Sequence, residues 1–90
     1  MAANERATNQ ARRLLEAAGY EVCRAGGAVA PFDLVAWDTT SIRFISVKVL
    51  TEDANPIERE SLLFLPRPVN ASVEIWRFPD PARPPVIERL

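Results

Sequence analysis

The 90 residues contain no histidine, one cysteine, one methionine, one lysine and three glycines. Without histidine the commonest general base is missing, and Ser-His-Asp and Cys-His arrangements are excluded. A lone cysteine cannot close an internal disulfide, and with no histidine beside it there is no plausible zinc set. Cys23 is therefore expected to be a small buried hydrophobe. No apolar run approaches the roughly 20 residues that a membrane-crossing helix needs. Excess charge of one sign is also lacking: the net charge is −1 and the pI about 5.4. That argues against a broadly basic nucleic-acid binder, although ten arginines can still cluster on one face. Catalysis would have to rest on carboxylates, the single lysine or a metal.

What is there is an ordinary globular composition, 48% hydrophobic and 26% charged, which fits one small domain over residues 1–90. The opening MAANERATNQ is polar and reads as the start of a helix rather than a signal peptide, so a cytoplasmic protein is expected. Ala7, Ala11, Leu14, Leu15 and Ala18 form one apolar stripe, predicting a helix over 5–18 with Asn4 as its cap and Gly19 as its stop. Strands are expected over 20–25, 31–38 and 42–50, with Gly26-Gly27 breaking the first and a hairpin turn at 38–41 joining the other two. Residues 51–56 read as a loop, and a helix over about 56–65 would begin at Pro56 and carry Ile57, Leu62, Leu63, Phe64 and Leu65. A strand over 71–78, a proline-rich loop and a last edge strand or tail at 86–90 complete the chain. Trp37 and Trp76, both in strands with apolar neighbours, are expected in the core or at a dimer contact. The order α-β-β-β-α-β predicts an α/β domain, a single mixed sheet flanked by helices.

The chemistry gathers in IRFISVKVL, residues 42–50. Alternation places Ile42, Phe44, Ser46, Lys48 and Leu50 on one face, and Arg43, Ile45, Val47 and Val49 on the other. Lys48 is the only lysine beside ten arginines, and its ammonium in an apolar run calls for a carboxylate. A symmetric hairpin about 38–41 sets Asp33 opposite 46–48, with Asp38 left as a turn residue. An aspartate and a lysine on adjacent strands suit phosphodiester hydrolysis. Two carboxylates and a backbone carbonyl can hold Mg²⁺, and a compact ammonium can support the attacking water. The plain alternative for Lys48 is a side chain snorkelling from a strand end.

PFDLVAW followed by IRFISVKV, after a helix bearing Glu5 and a glycine pair, resembles the PD-(D/E)XK nuclease superfamily, most of all the small archaeal Holliday-junction resolvases. The resemblance spans roughly residues 4–78, and it rests on placement along the elements because the motif itself is short. It implies the restriction-endonuclease-like fold and a Mg²⁺- or Mn²⁺-dependent endonuclease acting on DNA, branched DNA included, as a homodimer. Asp33, a second acid and the Val47 carbonyl would hold the metal, Lys48 would support the attacking water, and Glu5 would assist. Arg24 is a candidate phosphate contact, and Glu5 has a structural reading as a charge complementing the helix dipole.

Two positions depart from the pattern. Phe32 stands where proline usually precedes the aspartate, and Ser46 stands where the second acid belongs. Some restriction endonucleases of this superfamily have serine there and take the acid from the following helix. Glu58 and Glu60 lie ten and twelve residues after Lys48. Glu60 is preferred, because Ile57, Leu63 and Phe64 lie three or four residues from it and would form an inward stripe. Ser46, the acidic pI and the short chain also support an alternative: a catalytically inactive nuclease-fold module acting in nucleic-acid binding or as a homo-oligomeric interaction protein.

Overall fold

A computed structural model describes residues 2–25, 31–49, 56–80 and 83–90. The elements are α1 (Ala2–Ala17), β1 (Glu21–Arg24), β2 (Leu34–Trp37), β3 (Ile42–Val49), α2 (Pro56–Leu63), β4 (Ala71–Phe78) and β5 (Val86–Arg89). They build one five-stranded sheet in the order β1-β2-β3-β4-β5. Neighbouring strands are antiparallel except β3 and β4, which run parallel because α2 carries the chain back between them. The expected mixed sheet flanked by helices is present, and β5 is an edge strand. The glycine break at 26–27, the loop over 51–55 and the expected face position of Leu50 lie outside the described residues.

Strand alternation splits the core into two faces. Ile45 and Val47 of β3, with Trp76 and Phe78 of β4, pack under Ala7, Ala11 and Leu15 of α1. Val73 and Ile75 of β4 pack on the opposite face against Leu62 of α2, with Phe32, Phe44, Leu65 and Leu90 around them. Alanines at positions 7 and 11 let α1 lie close to the sheet, and Leu15 completes that line one turn later. The stripe is narrower than the spacing predicts, since Leu14 and Ala18 are exposed. α1 already runs from Ala2, so Asn4 lies in its first turn and is not the cap. Its far end closes as expected. Tyr20 N–H donates to the Leu15 carbonyl at 3.0 Å and Gly19 N–H to that of Glu16 at 3.0 Å, around Gly19 at φ 96°. This is a Schellman stop, and its left-handed residue favours glycine.

Three further expectations are corrected. Cys23 is exposed rather than buried, because β1 is an edge strand and α1 covers only the face that carries Val22. Ile57 and Leu63 of α2, and Phe64 just after it, face outward, and Leu62 is the buried one. β2 begins at Leu34 rather than at residue 31, since Pro31 has no N–H for the ladder. Trp76 is buried in the core as expected, whereas Trp37 at the hairpin end is half exposed. The hairpin turn itself is built by Asp38. Its Oδ1 accepts the N–H groups of Thr40 (2.9 Å) and Ser41 (2.8 Å), and these bonds, Thr40 first, hold its pKa below the ordinary value.

Candidate active site

The register explains why Asp33 and Lys48 come to one place. Leu34 pairs with Ile45 and Trp37 with Ile42, so the hairpin is symmetric about its turn and Asp33 falls opposite Ser46. Asp33 N–H donates to the Ile45 carbonyl at 2.8 Å. Its side chain then extends the ladder past the end of β2, with Oδ2 accepting the Val47 N–H at 2.7 Å. A carboxylate oxygen thereby takes the place of a ladder carbonyl at the Val47 amide. Val47, expected to lend its carbonyl, engages Asp33 through its amide.

Ser46 is buried at 2% exposure, and Lys48 follows two residues later on the same face. The Lys48 side chain is only 15% exposed, and its Nζ donates to Oε1 of Glu58 in the first turn of α2. The carboxylate that answers the buried ammonium is therefore Glu58. Glu60, preferred on spacing, is exposed, because the residues expected to form an inward stripe beside it are turned to solvent.

On the other side of Asp33, Arg24 ends β1. Its backbone neighbour Ala25 donates to the Asp33 carbonyl at 2.9 Å. Arg24 Nη1 donates to Oε1 of Glu5 at 2.9 Å. The bond lowers the Glu5 pKa and raises that of Arg24, to which the nearby charge of Asp33 adds. The start of α1, the end of β1, the start of β2, the end of β3 and the start of α2 thus bring Glu5, Arg24, Asp33, Lys48 and Glu58 to one end of the sheet, with Glu5 and Arg24 on the α1 side and Lys48 and Glu58 on the α2 side. Among the described residues, no three of His, Cys, Asp and Glu converge closely enough to make an all-protein metal cage.

No family model and no curated protein matches this chain. Among solved structures, one similar chain is Archaeoglobus fulgidus Hjc, a Holliday junction resolvase from an archaeal hyperthermophile. It is 23% identical and aligns with a TM-score of 0.73 over 91% of this chain and 72% of its own. This chain shares the nuclease-like fold of that resolvase. The expected order of elements is that of this fold, and Asp33 lies just ahead of β2 while Lys48 lies on the neighbouring β3.

Charged residues near this end of the sheet also escaped the sequence reading. Arg59 of α2, Arg77 of β4 and Glu88 of β5 form a connected ion-pair group beside Lys48. The signal was present: Arg77 shares a strand face with Val73 and Ile75, and Glu88 one with Val86 and Leu90. On the opposite face, Glu74 is fully buried and bound by Arg43 through Nε (2.9 Å) and Nη2 (2.7 Å). Ser72 Oγ and Trp76 Nε1 also donate to it, at 2.6 and 2.8 Å. Burial pushes the Glu74 pKa up, but these hydrogen bonds outweigh it and leave the carboxyl below its ordinary range.

Proposed function

We propose that this chain hydrolyses phosphodiester bonds in DNA, branched DNA included, with the help of Mg²⁺ or Mn²⁺. The observation that carries the reading is the placement of Glu5, Arg24, Asp33, Lys48 and Glu58 at one end of the sheet in a nuclease-like fold. Read against the resemblance, Ser46 occupies the place of the second acid and Glu58 replaces it from α2. The donor set fits a weakly held Mg²⁺, which typically takes one or two carboxylates and completes its shell with water and substrate phosphate. It does not fit a dedicated cage. Asp33 spends one lone pair on the Val47 amide and, as a carboxylate, keeps others for a metal.

Asp33 and Glu58 would hold the ion, whose chemistry when bound is to lower the pKa of water and neutralise charge at phosphorus. Lys48 orients the attacking water and stabilises the charge that develops in the transition state. Arg24, already aligned by Glu5, offers a guanidinium to a phosphate oxygen. A homodimer would supply the second cutting centre that a symmetric branched substrate requires.

Mn²⁺ titration calorimetry on wild type, Asp33→Ala and Glu58→Ala, combined with cleavage of a four-way junction, tests this. Binding and cleavage in wild type, both lost in each variant and with cleavage alone lost in Lys48→Ala, is the expected result. Absence of both in folded wild type sinks the reading. A second reading then stands: an inactive nuclease-fold module that binds nucleic acid or associates with itself. It is favoured by the absence of three converging acids among the described residues.

A further inference from the structure

α2 has eight residues, too few to be stable alone, and one of its side chains, Leu62, is buried in the core. Its far end is fixed by Arg67. That guanidinium donates to the carbonyls of Leu62 (3.1 Å), Leu63 (2.7 Å) and Leu65 (3.2 Å), and to that of Leu90 (3.2 Å). Its near end, which carries Glu58, is fixed differently. Glu58 and Arg59 are consecutive: Glu58 reaches Lys48 on β3, while Arg59 reaches Glu88 on β5. Arg59 Nη1 lies 3.2 Å from Glu88 Oε1, and its Nη2 contacts Oε2. Oε1 of Glu88 also accepts from Arg77 Nη1 at 2.9 Å.

The register makes this more than a surface tie. Lys48 pairs with Arg77 across the parallel β3–β4 ladder, so the two cations stand side by side on the face that α2 covers. Glu58 answers one and Glu88 the other. We propose that Glu88 is a positioning residue for the candidate site. Through Arg59 it anchors the first turn of α2, and by occupying Arg77 it keeps that guanidinium from competing with Lys48 for Glu58. Its functional meaning rests on the proposed metal-dependent hydrolysis, but the placement of Glu58 on Lys48 can be read without it.

Lys48 is the only lysine, so protein labelled with ¹³C-lysine gives a single side-chain Cε signal that reports its surroundings. Glu58→Gln defines the signal of the broken pair. In Glu88→Gln and Arg59→Gln the signal is expected to move from the wild-type position toward that reference, and Arg59→Lys should return it most of the way. Mn²⁺ affinity should fall about tenfold or more in Glu88→Gln, the usual loss for a group that orients a ligand. Circular dichroism confirms folding of each variant, and the half-exposed Arg59 serves should Glu88→Gln fail to fold. A lysine signal unmoved in folded Glu88→Gln, or in Arg59→Gln if the first is unfolded, overturns the proposal. A signal that moves in a protein whose wild type binds no Mn²⁺ upholds the positioning and rejects the metal reading.

Discussion

Arg43 and Glu74 show how much a single residue pair can hold. Glu74 is inaccessible to solvent, yet every buried side-chain polar atom among the described residues has a partner. The guanidinium of Arg43 also lies over the rings of Tyr20 and Trp76, at 5.2 and 5.4 Å from their centroids. Removing one member of a buried pair leaves an unanswered charge, which is worse than removing both. Arg43→Ala is therefore expected to cost about 3–5 kcal/mol in urea unfolding. The double change Arg43→Met with Glu74→Leu should cost clearly less, and an equal or greater loss would refute this account. Neither partner was conspicuous in the sequence. Arg43 alternates with apolar residues, and its partner lies 31 positions away on a strand whose pairing is parallel, so local periodicity carries no hint of it.

At the scale of elements, the attachment of α2 to β5 is acid-sensitive. Hydrogen bonds from Arg59, then Arg77, pull the Glu88 pKa from 4.5 down to about 2. A carboxylate with a lowered folded-state pKa stabilises the fold above its unfolded value, and that contribution disappears as pH falls through the folded one. The stability difference between wild type and Glu88→Gln should thus be full at pH 5 and above, shrink from pH 4.5 downward, and be nearly gone at pH 2. Because the pair is partly solvated, the difference at neutral pH should be on the order of 1 kcal/mol. Denaturant midpoints measured along that range check it; a difference that grows toward pH 2 would contradict the pairing. Elements were well predicted where periodicity or turn chemistry was strong. β4 falls on 71–78 as expected, and the hairpin register follows from Asp38 and the symmetric turn. α2 was predicted as an element but not in its orientation, because five apolar residues in a run of nine leave the buried face ambiguous. That ambiguity is the source of the Glu60 preference.

For the whole molecule, a ligand that binds only the folded state must raise its stability. If Asp33 and Glu58 bind Mn²⁺, a concentration a hundred times the dissociation constant adds about 2.7 kcal/mol. For a chain of this size that corresponds to a Tm increase on the order of 10 °C or more. Differential scanning calorimetry should show this rise in wild type and none in Asp33→Ala. The described helices include none long and apolar enough to cross a membrane. The fold was readable from the order of elements and from Asp33 and Lys48 on adjacent strands. The Lys48 partner was not, since an acid on α2 reaches Lys48 only when a short helix turns one way, and Leu62, Arg67 and Glu88 all hold that helix.

The sheet divides the core into unequal halves. The α1 side joins Ala7, Ala11 and Leu15 to Leu34, Ala36, Ile45, Val47, Trp76 and Phe78, whereas the α2 side has Leu62, Val73 and Ile75. The two sides share strands but not side chains, so they need not melt as one unit. Were the α2 layer to lift while the α1 layer kept β3 in place, Asp33 would stay on the Val47 amide and Glu58 would depart. In the proposed site one acid would then be permanent and the other conditional, and a long polymer could be admitted between them sideways rather than threaded.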